Sequence, residues 1–586
     1  MWIVFLALLS AHSDCSRADE ITLPPIIKEE SPIDALTQDP ILPAQSGDTT
    51  LNASSGAIHH GIAEDIALPV TDSGRPGSLA QFRGMGQSVE DTSVQVFGIP
   101  LNPPQGGGLD LSIYPMFFWS EYRFQPGPAL GILDPQAVSG TLNLTPWTAH
   151  ALADPQAVGT SRVTLFYSDA RSYQFSAAAH SANVAVLAGE SSGAAQGPSG
   201  AISGVWQSGS LSGSAHLLIT QIDAESPGTV SFPSPDARLL TYRITPVVET
   251  EYQWSADASF RNSLFYDNSF LAYDNPDISF SSRDRIWQYG TQNLAVVGNW
   301  KLGANARQTT YTQPGFQTPA ETIANLQISR IFQQGPVVIE PSVNLIDVND
   351  FGSYPQGSLG VRDEIDGSMA VFARGSFSRR FPSLLDRYSN DPTYIPNPSL
   401  VPESDWFGAA GYEWKNRNWQ CIGELVLQER QDVQLHTALA GGMFTTSNAG
   451  NAHLIDYTQS VSYSAFSWID LSEELTLSHT AVDLTGTDFP GFPSFIDVVG
   501  ARLHPVHFSW DPEIRASARF ASSAATTTAV RLSGYEYLDL EASASPYKGI
   551  RAVVRVDNVF DSPTQETQDA FPLFRAVSVL VVGQLN

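Results

Sequence analysis

Val94-Gln95-Val96-Phe97-Gly98-Ile99-Pro100-Leu101-Asn102, then Gly106-Gly107-Gly108 and Leu109-Asp110-Leu111-Ser112, decides how this chain is read. Two short apolar runs meet at Phe97-Gly98, and a glycine-rich turn follows. Phe82-Arg83-Gly84 stands upstream. Glu121-Tyr122-Arg123, Gly127-Pro128 and Gly140-Thr141-Leu142-Asn143-Leu144 stand downstream. Leu79 to Asn143 therefore reads as a small unit of short strands and glycine turns. Such a unit needs a larger body around it to bury its apolar residues.

The totals say what that body is not. The chain has 586 residues and a net charge of −29, from 31 basic and 60 acidic side chains. That balance excludes the basic face of a nucleic-acid binder. Past the N-terminus there is no run of 18 apolar residues, so helical membrane spans are excluded too. Gly, Ser, Ala, Thr and aromatics are abundant and Met is scarce, which suits strands and turns. The apolar run Trp2–Leu9 and the small-x-small site Ser16-Arg17-Ala18 predict a secretory signal peptide over 1–18. Cleavage there leaves Cys421 as the one cysteine and no internal disulfide.

Asp19-Glu20-Ile21-Thr22-Leu23-Pro24-Pro25-Ile26-Ile27 is extended in character, because its prolines oppose helix. The region to residue 53 is polar and aperiodic and reads as a tether. The compact unit is expected over 54–150. From 151 to 586 the pattern becomes apolar–polar alternation. Tyr252, Trp254, Ala256, Ala258 and Phe260 alternate with polar residues; so do Ile514, Ala516, Ala518 and Phe520, and Leu538, Leu540, Ala542 and Ala544. This is the period of a strand with one apolar face. That face points to a core in a soluble sandwich and to lipid in a membrane barrel, and periodicity alone does not separate the two.

Three features favour the barrel. The alternation runs without a domain break. Aromatics recur near strand ends. Tight turns at Lys415–Asn418 and Tyr547–Gly549 alternate with long polar loops at Asp223–Asp236, Asp274–Asp284, Phe381–Asp405 and Asp483–Pro493. Residues 151–586 allow about 20 residues for each of roughly 22 strands. A lumen of that width holds a folded domain.

Three separated places carry a resemblance to the TonB-dependent outer-membrane receptors. One is the glycine-turn unit just quoted, which resembles their plug domain. The second is Phe381-Pro382-Ser383-Leu384-Leu385, Asn397-Pro398-Ser399-Leu400, Pro402-Glu403-Ser404 and Gly411-Tyr412-Glu413. The third is Val556-Asp557-Asn558-Val559-Phe560-Asp561 ahead of a last strand. The chain departs from the family pattern at Phe97-Gly98, where an aspartate usually precedes glycine. It departs again at Pro126, which stands for an arginine, and at Leu585-Asn586, which stand for a terminal aromatic.

The resemblance implies an all-β membrane protein: an antiparallel transmembrane barrel of about 22 strands, with an N-terminal α+β plug domain in its lumen. The implied domains are a signal peptide at 1–18, a TonB-box-like segment and tether at 19–53, a plug at 54–150 and a barrel at 151–586. Glu20, Ile21, Thr22, Leu23, Pro24 and Ile26 match the box by which the periplasmic protein TonB grips such receptors, drawing on its inner-membrane energising complex. An exposed extended segment suits that role, because it adds as a strand to a partner's sheet edge. No further N-terminal signalling domain is expected. Ligand contacts are implied at the plug apex, at Met85, Gln87, Asn102, Gln105, Gly106 and Gly107. Further contacts are implied in barrel loops, at Tyr388, Asn390, Tyr394 and Phe492. The implied ligand is a ferric siderophore first and cobalamin second. A non-transporting surface receptor or adhesin is the alternative, and a secreted all-β binding protein the next.

No enzyme signature appears: no nucleophile elbow, phosphate loop or zinc-protease motif. His504 and His507 fall on opposite faces of a strand, so a metal pair is not expected. Neither is metal binding at His59-His60. The loop acids Asp267, Asp274, Asp277, Asp347 and Asp350 lack an ordered calcium-ligand spacing and read as solvated. No cofactor is expected.

Overall fold

The computed structural model describes residues 45–48 and, from 62 to 585, all but 64–65, 69, 73–79, 86–88, 104–107, 129–136, 154–160, 169–171, 182, 193–194, 227–233, 390–393, 440–442, 483–491, 506–507, 526–530 and 564–574. Twenty-two antiparallel strands close into one barrel. The last strand, Ala576–Leu585, pairs with the first, Ser161–Ser168, so no sheet edge remains. An even strand number brings both ends of the barrel to the same rim.

Strand parity assigns the two faces. Leu302, Leu326, Val343, Leu359, Leu425 and Leu427 are exposed on the outside. Arg243, Asp267, Arg380, Glu403, Arg430 and Arg519 are buried inside. This inverts a soluble sandwich and is the arrangement of a lipid-facing wall. Trp206, Tyr252, Trp254, Trp300, Phe466, Trp468 and Tyr547 are exposed beside the tight turns. They form an aromatic girdle at that rim, where amphipathic rings favour the headgroup layer. Tight turns face the periplasm and long loops face outward in such barrels. The chain is therefore an outer-membrane, multi-pass β-barrel.

Two readings of the barrel need correction. Tyr252 to Phe260 is not one strand. The chain turns at Ala256-Asp257, between strands Arg238–Ser255 and Ala258–Asn275, and Tyr252 faces Phe260 across the hairpin. A two-residue turn alone would invert parity; the register shift between Gln253 and Ser255 restores it, so the alternation reads through the hairpin unbroken. Asp274–Asp284 is not a long loop either. Strands continue to Asn275 and resume at Phe280, with one short 3-10 turn at Pro276–Ile278 between them.

The plug fills the lumen. We label its strands β1 (Gln45–Asp48), β2 (Val70–Asp72), β3 (Ala80–Phe82), β4 (Thr92–Val96), β5 (Ile99–Pro100), β6 (Trp119–Pro126) and β7 (Gly140–Pro146). Five form a sheet in the order β1-β6-β7-β4-β5, with β4 parallel to β7. Its core joins Val94, Phe118, Trp119, Tyr122, Phe124 and Leu142, all at most 2 % exposed. Phe82 meets Phe124 edge-on at 5.2 Å, a favoured ring geometry. Phe82-Arg83-Gly84 is closed by the Gly84 amide, which donates to the Thr92 hydroxyl at 2.8 Å. A Cβ on Gly84 would lie 2.9 Å from that same oxygen, so the close approach requires glycine. Burial lowers the Arg83 guanidinium to a pKa of about 10, although Asp91 lies near enough to oppose the shift. Helix α1 (Trp147–Ala153) leads from the plug into the barrel.

Candidate functional site at the plug, the wall and the lid

The barrel wall grips the plug at several separate points. Phe97 and Gly98 both have positive φ, 55° and 71°, the backbone of a type I′ hairpin turn. Such a φ is costly for an aromatic residue. The Phe97 ring stacks on His216 of the wall, with centroids 4.0 Å apart. The Gln292 amide donates to the Gly98 carbonyl at 2.7 Å. His216 is fixed in turn by the hydroxyls of Ser203 and Ser214, at 2.8 and 2.9 Å. The departure from the family pattern at Phe97 thus has a physical account: the ring wedges the turn against the wall.

Higher in the lumen, Arg243 binds Asp267 through two nitrogens, at 2.7 and 3.0 Å. Its remaining nitrogen donates to the Leu101 carbonyl of the plug at 2.7 Å. Arg519 donates to three plug carbonyls: Ala63 at 2.6 Å, Ile66 at 3.3 Å and Leu68 at 2.9 Å. Gly127 has φ +82° and packs on the Phe407 ring, while Arg374 donates to the Pro128 carbonyl at 2.9 Å.

The densest contact lies near the long-loop rim. Glu90 and Asp91 sit in a 3-10 turn, Val89–Asp91, just before β4. Arg380 and Arg430 reach them from strand ends Met369–Arg380 and Trp419–Gln431. Arg430 donates to Asp91 at 2.7 Å, and Arg380 contacts Asp91 and Glu90 at 2.8 Å each. Both arginines also bind Glu403, which opens the strand between theirs; Arg380 does so at 2.7 Å. Glu403, Asp91 and both arginines are almost fully buried. Buried charges persist only when each is paired and hydrogen-bonded, and this group meets that demand. The Asp91 carbonyl accepts from the amides of Val138 and Ser139, at 3.0 and 2.9 Å, so the same residue ties two plug segments.

Above it lies a lid. It joins helix α2 (Leu384–Tyr388) to a three-stranded sheet of Tyr394–Ile395, Gln434–Ala438 and Phe444–Asn448. Ser383 and Asp386 cap α2 reciprocally. The Asp386 carboxylate also accepts from Tyr394 at 2.7 Å and Thr446 at 2.6 Å. Burial raises its pKa, but the Ser383, Thr446 and Tyr394 hydroxyls outweigh that and hold it below the usual range. Burial next to Asp386 pushes the Tyr394 phenol up. Arg387 binds Glu321 at 2.6 Å and Asp350 at 2.5 Å. Asn397 donates to the Thr446 carbonyl at 3.0 Å, which ties Asn397-Pro398-Ser399-Leu400 to the sheet.

Of the expected ligand residues, the structure describes Met85, Asn102, Tyr388, Tyr394 and Phe492. Glu20–Ile26, Gln87, Gln105, Gly106, Gly107 and Asn390 lie outside the described residues. Met85 is 2 % exposed, inside the plug core. Asn102 is buried; its amide accepts from the Val94 amide at 2.6 Å and donates to the Thr92 carbonyl at 2.8 Å. It clamps β4, and its polar atoms are engaged within the plug. Tyr394 supports Asp386, and the Tyr388 hydroxyl donates to Asp350 at 3.2 Å, so both phenols serve the lid frame. Phe492 is buried. Glu90, Asp91, Arg380, Glu403 and Arg430 were missed. The available signal was the two arginines at inward parity at the long-loop ends of their strands.

Among the described residues no group of His, Cys, Asp and Glu is placed to hold a metal ion. His504 faces Asp470 at 2.9 Å and Glu513 at 3.5 Å. No protein-family model and no curated protein matches the sequence. Solved structures do match in fold. The copper transporter OprC superposes with a TM-score of 0.76 at 12 % identity, covering 92 % of this chain and 100 % of that one. The FrpB iron transporter from Neisseria meningitidis gives 0.75 at 13 % identity, covering 92 % and 99 %. A mutant of the ferric enterobactin receptor PfeA from Pseudomonas aeruginosa, in complex with enterobactin, gives 0.76 at 12 % identity, covering 94 % and 100 %. With a plug bound inside a closed barrel of 22 strands, this chain has the fold of the TonB-dependent outer-membrane receptors.

Proposed function

We propose that the protein is a TonB-dependent transporter that imports a scarce ligand across the outer membrane. One observation carries the reading: among the described residues the plug meets the wall through side-chain contacts, with no disulfide and no strand shared between them. Each contact can break and re-form with water as the substitute partner, so a pull on the plug opens a path without unfolding the barrel. In this reading Glu20–Ile27 is the segment gripped by TonB, whose inner-membrane complex supplies the energy. The ligand is a ferric siderophore, with cobalamin as the second choice, and it docks on the outward side of the lid and plug. The test is deletion of residues 19–27 in cells. Energised uptake should vanish while surface binding of the ligand stays. Uptake that survives the deletion refutes the coupling. Binding without uptake in both forms marks a non-transporting receptor instead.

A further inference from the structure

We propose that the hairpin Gln434–Ala438/Phe444–Asn448 is a lid latched onto the plug by His436 and Glu90, and that rising pH releases it. The contact joins parts of the chain that are 346 residues apart: His436 Nε2 lies 3.2 Å from the Glu90 carboxylate. The other ring nitrogen, Nδ1, lies 2.8 Å from the Thr446 hydroxyl, which in turn donates to Asp386. The imidazole therefore bridges the plug below and the lid frame above. Its side chain is 46 % exposed, so solvent protons reach it.

The groups around it are named by element. From the plug comes Glu90, with Asp91 behind it. From α2 comes Asp386, at 4.0 Å. Tyr394 comes from the neighbouring strand, its ring 6.3 Å away. From the wall comes Arg380, the one cation of the set, already bound to Glu90, Asp91 and Glu403. Two carboxylates thus lie within 4.0 Å of the ring nitrogens. The hydrogen bond to Glu90 raises the His436 pKa above its ordinary value; burial opposes this and the two carboxylates add to it. A group whose pKa is raised on docking stabilises the docked state fully below its undocked pKa of about 6.5. That stabilisation is lost as pH rises through the docked value. The lid is held in mildly acid surroundings and loosened in alkaline ones, which makes entry to the plug pH-dependent.

The test uses the full chain in lipid nanodiscs, with heat-modifiable gel mobility to confirm the folded barrel. Amide exchange over 434–448 is followed at about pH 5.5 and about pH 8 and corrected for intrinsic rates. Protection in the native protein should fall severalfold toward the higher pH. His436→Gln, which keeps a hydrogen-bonding side chain, should give protection that does not change with pH. Glu90→Gln should remove most of the dependence as well. Native protection that is flat across this range overturns the latch, and so does a His436→Gln variant that falls like the native protein. The readout needs neither ligand nor TonB, so failure of the transport reading leaves it standing.

Discussion

Replacing Asp91 with Asn tests whether the charged contact near the long-loop rim holds the plug. The change keeps the shape and removes the charge that faces both arginines. One carboxylate oxygen becomes an amide nitrogen, so one of the two guanidiniums, Arg430 at 2.7 Å or Arg380 at 2.8 Å, meets a donor and the other keeps only a neutral acceptor. Breaking a buried ion pair by removing one partner costs about 3–5 kcal/mol. Here Glu403 still binds both guanidiniums and Glu90 still binds Arg380, so the lower end applies, about 3 kcal/mol. That is roughly a hundredfold gain in the population with this corner of the plug detached. The Asp91 carbonyl keeps its bonds to Val138 and Ser139, so the plug's own fold is not the target.

The assay is amide exchange in nanodiscs at neutral pH, read at β4 and at residues 138–144. Asp91→Asn should speed exchange there by about a hundredfold and leave the wall strand Trp419–Gln431 protected. Arg430→Met should do the same. The double variant should cost less than the two singles added, because each alone strands a buried charge. Exchange within about threefold of native in Asp91→Asn would show that the plug is held elsewhere and that the charges only fill the space.

Two further expectations follow from the backbone. Phe97→Gly removes the left-handed strain but also the stack on His216, worth about 1 kcal/mol. The turn should stay folded while exchange over 94–101 rises about fivefold, and no rise would mean that the ring contributes nothing. Gly127→Ala places a Cβ 2.6 Å from the Phe407 ring at a φ of +82°. It should lower the plug's unfolding free energy, read from a denaturant titration, by about 2 kcal/mol or more, and Phe407→Leu should restore part of that loss. A neutral Gly127→Ala would refute the close approach.

The wall was legible because lipid and lumen impose opposite demands on adjacent residues. Leu538 and Leu540 alternate with Asp539 and Glu541 for that reason, and the structure buries the latter pair. Turn positions were less legible where a bulge beside the turn restores parity, as at Ala256-Asp257. Loop lengths misled at Asp274–Asp284, because strands that rise above the membrane carry the polar residues of loops. The grip on the plug could not be read at all. Asp91 and Arg430 are 339 residues apart, and no local period links them. Phe97 looked like a faulty turn residue until His216 stood opposite it.

In the proposed transport reading, the placement of the contacts constrains how the plug would move. Phe97 and Gln292 hold a turn that points toward the tight-turn rim, whereas Asp91, Arg380 and Arg430 act near the long loops. The lower contact is a ring stack and one neutral hydrogen bond, of the order of 1 kcal/mol each. The upper contact is a charged network that costs several times more to break. A pull from the periplasmic side acts first on the weaker end. The turn at Phe97 should therefore loosen before the charged corner does, and the lid stays attached to that corner through Glu90. An opening that starts below and reaches the lid last keeps the outer face shut until the path beneath it exists. Asp91→Asn inverts that order, so it should let small solutes leak through the barrel with no energy source, which conductance across a planar bilayer measures directly. A variant as tight as the native barrel would mean that the weaker lower contacts suffice to seal it.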